Sequence, residues 1–430
     1  MKRALVWFKT NLRLTDNEAL TKAISESDEI IPFYCFDEAH FKTTKFGFKK
    51  TGKFRAKFLI ESLIDLDTNL REAGSGLIVT VGNPVDQLID VVKKYNIQKV
   101  YAQTEVAFEE LYLQANVERE LLKLNCKLET YCANSLYHVE DLPFSVKNIP
   151  DVFTNYRKQV EKESDVRAFF TRPTTIISPV LDACSWPTLA ELNLEPIDVD
   201  KRAVLVFKGG ESAAWDRLEY YFFESKSLSN YKETRNELVG ENYSSKFSAW
   251  LALGCISAKS IFYQVKKFEQ DIVANDSTYW LIFELLWRDY FRLMIQKYGY
   301  QFFLKNGIRN ESSKMNSHNH NLFEQWKSGT TKNDFIDANM LELKHTGFMS
   351  NRGRQNVASY LVNDFKLDWR YGAAYFEEQL VDYDVCSNWG NWAYVAGVGN
   401  DPRSNRVFNT EKQSNDYDRD RKFRNLWLRQ

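Results

Sequence analysis

The hydrophobic pattern of this chain changes period about one third of the way along, and that change constrains the fold more than any single motif. Short apolar runs rich in β-branched and aromatic side chains occupy residues 4–8, 30–36, 77–81 and 99–103. Between them, residues 18–25, 54–72, 85–95 and 109–124 carry apolar side chains every three or four positions. Strands separated by helices of that length pair in parallel through right-handed crossovers, so residues 1–133 are expected to form a Rossmann-like α/β domain. From 134 to 200, Pro143, Pro150, Pro173, Pro179, Pro187 and Pro196 interrupt any long helix, and the segment reads as an interdomain connector. Beyond it strand signals nearly vanish, while residues 212–224, 257–268, 278–298 and 351–365 keep a helical period. Residues 201–430 are therefore expected to form an all-α domain.

A length of 430 residues with 44% hydrophobic content is enough for two cores. No apolar run approaches the roughly 20 residues that span a bilayer, and the start Met1-Lys2-Arg3-Ala4-Leu5-Val6-Trp7 is too short and too aromatic for a secretion signal. A soluble, cytoplasmic monomer with no membrane partner is expected. The six cysteines contain no Cys-x-x-Cys pair, so neither a metal site nor a disulfide framework is supported. A net charge of −1 excludes coating of nucleic acid by the whole surface and leaves room for a local basic patch. The loop after the first strand, Lys9-Thr10-Asn11-Leu12-Arg13, lacks the Gly-x-Gly-x-x-Gly turn, which disfavours a dinucleotide-dependent dehydrogenase.

Between Thr346 and Asn409, aromatic residues alternate with charges and small residues in a way that a plain helical core does not require. Asn351 and Arg354 lie three apart at one helix start. Arg354 alone reads as a solvated surface charge, but Asp382 and Asp384 stand in a largely apolar stretch where an unpartnered carboxylate costs several kcal/mol. An Arg354–Asp382 pair answers both and would set a charged fork against the edge of a planar, hydrogen-bonding ring. In the nearly all-apolar helix at 279–291, Glu284 and Arg288 are four apart. They read either as a helix-internal ion pair worth about 0.3–0.5 kcal/mol or, with Trp287 between them, as a stacking and hydrogen-bonding face for an unstacked base. Ser244 and Ser245 read equally as a helix cap or as a phosphate cradle.

On these segments, together with Tyr243-Ser244-Ser245-Lys246-Phe247-Ser248-Ala249-Trp250-Leu251-Ala252-Leu253-Gly254-Cys255-Ile256-Ser257, the chain closely resembles the photolyase/cryptochrome family, and within it the cryptochrome DASH branch. The resemblance implies an α/β domain, a connector, and a helical domain that binds FAD. By position it places Tyr231 and Arg235 beside the cofactor and Ser244, Ser245, Lys246, Phe247 and Ser248 at its phosphates. Arg288 and Arg354 would flank the flavin, with Arg354 paired to Asp382, Tyr383 and Asp384 beside the ring or ribityl chain, and Asn388 facing N5. It further implies a deoxyribodipyrimidine photolyase activity, in which excited reduced flavin lends an electron to a cyclobutane pyrimidine dimer and takes it back. Glu284 would hydrogen-bond the dimer, Trp287 would pack on it, and Asn351 would line the floor.

Gln355 and Tyr394 stand where double-strand-specific relatives have Met and Trp, which favours single-stranded DNA. Asn351 and Gln355 replace the histidines of (6-4) photolyases, so that reaction is rejected. Trp392 and Trp369 match the inner two members of the family's photoreduction chain, whereas the outermost position is Asn316. A folate antenna, as methenyltetrahydrofolate, would sit between the domains near Glu105, Glu109 and Glu110. DNA phosphates would meet Arg403, Arg406 and Gln413, with Arg419, Arg421, Lys422 and Arg424 adding charge, unless that terminal run is a solvated helix face. A blue-light photoreceptor or nucleic-acid-binding regulator without turnover is the alternative. A dark flavoprotein oxidoreductase has no evident nicotinamide site.

Overall fold

In the computed structural model, which describes residues 2–309, 319–401 and 407–429, the first third of the chain forms a five-stranded parallel sheet. Strands β1 (Arg3–Trp7), β2 (Glu29–Asp37), β3 (Ile78–Gly82), β4 (Lys99–Gln103) and β5 (Lys127–Tyr131) stand in the order β3-β2-β1-β4-β5. The register sets Val6 beside Pro32 on one side and Tyr101 on the other. Four strands lie within a residue or two of the expected runs. β5 has no counterpart among them, because it closes the sheet edge with Lys-Leu-Glu-Thr-Tyr, none of it fully buried and so without an apolar run.

Side chains alternate across the sheet. Leu5, Trp7, Ile31, Phe33, Val100 and Ala102 face Leu88, Val91 and Val92 of helix Pro84–Tyr95 and Val117 and Leu121 of helix Phe108–Leu122. Ala4, Val6, Phe36 and Tyr101 face the other way, toward helices Glu18–Glu26 and Lys53–Glu72, and their core runs on without a break into the helical part of the chain.

The strand order reverses at β1 and β4, the place where an open α/β sheet offers a crevice. Here that crevice is where the helical region docks. The Leu12 amide donates to the Leu253 carbonyl (3.1 Å) and Arg13 Nη1 to the Gly254 carbonyl (2.8 Å). The Leu14 and Thr15 amides donate to the buried Glu211 carboxylate (2.8 and 3.0 Å). Gly254 ends helix Ser248–Leu253 at φ +65°, and a Cβ added there would strike the Thr10 carbonyl.

Among the described residues every named strand precedes residue 132, and the elements beyond that point are helical. The connector is less irregular than its prolines suggest. Pro150 and Pro173 bracket a proline-free stretch, which forms the helix Phe153–Glu163. Two expected helices are each a helix finished by a wide turn: Glu211–Glu219 passes into a π turn at Tyr220–Glu224, and Asn351–Ser359 into one at Tyr360–Asp364.

The longest helix, Asp276–Tyr298, starts where Asn275 accepts the Ser277 and Thr278 amides (2.8 and 3.1 Å) and stops at Gly299. Its Asp289 accepts the Leu136 and Tyr137 amides of the connector, the shorter contact to Leu136 at 2.8 Å. Its Arg292 donates to the Thr104 carbonyl and to Glu105, beyond β4. Among the described residues, no helix is long and apolar enough to cross a membrane.

Substituting Gly254→Ala tests the docking. The positive φ and the collision with Thr10 predict a loss of more than about 1 kcal/mol in urea-induced unfolding. A variant as stable as the parent would show that the seam tolerates the extra carbon.

Candidate functional site

The helical region encloses a cavity of about 300 Å³, within the size range of small-ligand sites. Four stretches of chain build it. Helix Asp276–Tyr298 contributes Leu281, Glu284, Leu285 and Arg288, spaced three and four apart on one face. Helix Asn351–Ser359 contributes Asn351, Arg354, Gln355 and Ala358. Asp382, Tyr383 and Asp384 lead into helix Val385–Val395, which adds Ser387, Asn388, Asn391, Trp392 and Val395. Tyr231, Arg235 and the run from Ser244 to Ser248 complete the wall, with Leu251, Phe348, Met349 and Phe376 supplying apolar surface. Every expected cofactor contact thus lines one space. Asn391 and Val395 follow Asn388 at helical spacing, a signal that could have found them; Ser387, Phe348, Met349 and Phe376 carried no such signal.

Charges in the wall are mostly answered. Arg354 Nη2 reaches both oxygens of the buried Asp382 (3.0 and 2.8 Å), and its Nε donates to the Met349 carbonyl (2.8 Å). The Asp384 carboxylate caps helix Val385–Val395 through the Ser387 amide at 2.7 Å. The Asn388 amide nitrogen is tied to the Ala373 carbonyl (3.0 Å), which fixes the side chain on the cavity wall.

The structure corrects several expectations. Glu284 and Arg288 do not pair. Glu284 is bridged by Arg235, while Arg288 donates to the Asn134 carbonyl and side chain and to the Leu251 carbonyl. Both partners come from distant sequence, and each lies closer than the neighbouring helical turn. Burial pushes the Glu284 carboxyl upward and Arg235 holds it part-way back. Lys246 lines the cavity and turns its ammonium to the Gly240 and Glu241 carbonyls, 3.4 Å over the Tyr243 ring. Burial, with Arg217 alongside, pulls it down to about 7. Ser244 and Ser245 cap no helix; the one that follows has Phe247 at its N-cap position, without a side-chain bond.

Trp287, Tyr394, Trp369 and Gln413 do not line the cavity. Trp287 stacks on Phe153 at 3.7 Å and meets Tyr394 edge-on at 5.8 Å. Trp369 meets Trp389 edge-on at 5.6 Å, whereas Trp392 packs on Phe376 (5.1 Å) and Trp326 (6.1 Å). Gln413 is half-buried and accepts from Arg352 (3.5 Å) and Asn356 (3.3 Å). Of the terminal cations, Arg424 is buried against Asp418 (2.8 Å) and is structural, whereas Arg421 and Lys422 are exposed, in surface pairs with Asp334 and Asp420. Asn316, Arg403 and Arg406 lie outside the described residues.

At the interdomain seam Glu105 is buried and accepts from Thr10 (2.8 Å), Gln103 (3.1 Å) and Arg292 (3.4 Å). Glu110 reaches back to the Ala107 amide and is raised to about 8 by burial and by Glu105. Glu109 stands apart, exposed and paired with Lys50.

Behind the cavity wall Glu342 is fully buried with no side-chain partner for either oxygen, and burial raises it to about 8 against the pull of Lys246 and Arg354. A carboxyl raised on folding adds stability that is full below its unfolded value, 4.5, and is lost as pH rises through about 8. Glu342→Gln removes that loss. Its stability relative to the parent is predicted to climb between pH 5 and 8, by up to about 1.4 kcal/mol per pH unit, in urea unfolding across that range. A pH-independent difference would mean that Glu342 stays ionised.

The cavity suits a ligand with both a phosphate-bearing chain and a flat polar ring. Unspent serine hydroxyls and Arg235 serve the first; apolar faces beside a guanidinium–carboxylate pair and a tethered amide serve the second. Comparison with known proteins points the same way. The family described as DNA photolyase matches residues 4–175, and the FAD binding domain of DNA photolyase matches residues 280–430. Cryptochrome DASH of Gloeobacter violaceus is 46% identical over 428 residues, covering 99% of this chain and 85% of its own length. Cryptochrome DASH of Xenopus laevis is 46% identical over 425 residues, with coverages of 98% and 81%. The crystal structure of Synechocystis sp. cryptochrome superposes with a TM-score of 0.96 at 45% identity, covering 100% of this chain and 89% of that one. A likeness this even from end to end, around a cavity of this chemistry, makes the chain a member of the photolyase/cryptochrome family, in its cryptochrome DASH branch, with FAD as its cofactor.

Proposed function

We propose that this protein repairs cyclobutane pyrimidine dimers in DNA in a light-driven reaction, preferentially on single strands. The observation that carries the reading is the convergence of Glu284, Asn351, Gln355, Arg354–Asp382 and Asn388 on one cavity, with hydroxyls at Ser244, Ser245 and Ser248 beside them. Bound FAD supplies photoinduced one-electron transfer; the side chains bind, orient and exclude water.

Each side chain has a task that its surroundings allow. Ser244, Ser245 and Ser248, with Tyr231 and Arg235, hold the pyrophosphate and its neighbours. Arg354 and Asp382 would hold the ring edge, with Asn388 beside the ring. Glu284, its carboxyl pushed upward by burial, offers a hydrogen-bonding group to a pyrimidine, while Arg235 fixes its direction. Asn351 and Gln355 add polar contacts on the floor, and Arg352 orients Gln355 through a 3.0 Å bond. Trp287 acts from outside the cavity lining, as a wall braced by Phe153 against which an extruded base can pack. Extruding a lesion costs a few kcal/mol, less from a single strand, which supports that preference.

The seam around Glu105 and Glu110 is the place for a folate antenna. Two carboxyls there, one buried in a network and one raised to about 8, offer acceptor and donor to a pterin ring. Glu109, tied to Lys50, has no part in it.

The test is to illuminate the FAD-loaded, reduced protein with dimer-containing oligonucleotides and to measure restored thymines. Single strands are expected to be repaired faster than duplexes. Absence of reversal in both overturns the proposal, and a light-dependent spectral change without repair favours the photoreceptor. A second prediction concerns pH. Repair should fall as pH rises through the Glu284 titration, because the donor proton is lost, and Glu284→Gln, whose amide donates at any pH, should flatten the profile. An unchanged pH profile in that variant would remove Glu284 from the reaction.

A further inference from the structure

Arg217, in the last turn of helix Glu211–Glu219, is buried behind the cavity wall and makes five hydrogen bonds, all to residues 241–245. Its Nε donates to the Ser245 carbonyl (3.2 Å), and its Nη2 to the Ser244 and Glu241 carbonyls (3.3 and 3.1 Å). Its Nη1 donates to the Glu241 carboxylate (2.9 Å) and to the Asn242 side-chain oxygen (3.3 Å). One guanidinium thus gathers the backbone carbonyls of the stretch that carries Ser244 and Ser245. An ion pair with Glu241 alone needs only one of these contacts.

A trans peptide sets its C=O and N–H in opposite directions, and no peptide bond among the described residues is cis. With the Ser244 and Ser245 carbonyls turned to Arg217, the amides of Ser245 and Lys246 point the other way, to the side on which these residues line the cavity. Lys246 has a left-handed backbone (φ +59°) and Phe247 a right-handed one (φ −65°, ψ −11°), a succession that curls neighbouring amides into one concavity for an anion. Among the described residues the amides of Ser245, Lys246 and Phe247 meet no acceptor, although all three residues are buried. A buried N–H requires one.

We infer that Arg217 is a positioning residue for the cofactor diphosphate: it holds the carbonyls of this loop away from the cavity, so that the amides of Ser245, Lys246 and Phe247 face a phosphate oxygen. The inference rests on the FAD reading of the cavity. Lys246 fastens the same loop through its ammonium, on the Gly240 and Glu241 carbonyls (3.4 and 2.8 Å). That anchor offsets the cost of a left-handed backbone at a residue with a Cβ. Without Arg217 the carbonyls are free to rotate, and an oxygen turned toward the cavity would repel the phosphate. The contribution is one of orientation rather than of charge. A lysine at this position carries the charge but lacks the planar fork that reaches several carbonyls at once, so it cannot replace the arginine.

Titration of the flavin-free chain with FAD, followed by phosphorus NMR and flavin absorption at saturation, tests this. Arg217→Leu should bind FAD at least about tenfold more weakly than the parent, and Arg217→Lys, which keeps the charge, should stay weakened. In the FAD-saturated Arg217→Lys protein the resonances of the bound diphosphate should move from their parent positions, while the flavin bands, set by the surroundings of the ring, stay unchanged. Arg354→Leu should do the reverse. Parent-like affinity in Arg217→Leu overturns the role of Arg217, and parent-like affinity in Arg217→Lys reduces that role to charge and overturns positioning. Flavin bands that change together with the phosphorus signals mark a general loss of packing and overturn it as well. Should Arg217→Leu fail to fold, Arg217→Lys carries both readouts. A parent that takes up no FAD overturns the inference together with the cofactor reading.

Discussion

The register of the buried helix Asp276–Tyr298 is the constraint on which the rest of the structure depends. One face holds Glu284 and Arg288 at the cavity, the very next residue, Asp289, points into the connector backbone, and Arg292, one turn after Arg288, crosses to the loop after β4. The helix therefore connects the sheet, the connector and the cofactor cavity through charged side chains at consecutive turns. A slip of one residue would rotate all four by about 100° and leave several buried charges unpaired, each at a cost of several kcal/mol. This cost fixes the cavity floor relative to the sheet more firmly than apolar packing, which tolerates small shifts.

The same economy governs the cavity. Asp382 is buried and would be costly alone, yet Arg354 meets both its oxygens, and the pair can then act on a ring edge without further rearrangement. Asp384 spends one oxygen on a helix cap, and Asn388 spends its amide nitrogen on a carbonyl. Groups tied this way are preorganised. The exceptions, Glu342 and Lys246, sit behind or within the wall as buried titratable groups, and both are displaced toward their neutral forms. Neutrality there spares the fold a charge that nothing nearby fully compensates.

Much of this was legible in the sequence, for reasons that differ from element to element. The strands and crossover helices follow from local periodicity, so four of the five strands were visible and only the edge strand Lys127–Tyr131 was not. The Arg354–Asp382 pair could be inferred because an acid in an apolar stretch requires a partner. The Glu284–Arg288 pair could not be judged this way: local spacing permits it, and only the tertiary fold brings Arg235 and Asn134 closer. Lys246 shows the same limit, since the carbonyls that take its ammonium belong to a turn whose shape no periodicity encodes.

Titration of the flavin-free chain with FAD, alongside Arg354→Leu, tests most directly whether the cavity and its charged pair form the cofactor site. The account predicts one FAD per chain for the parent and at least about tenfold weaker binding for the variant, the cost of one charge-assisted contact together with the stranded Asp382. Equal affinity in the two, or no binding by the parent, would contradict it.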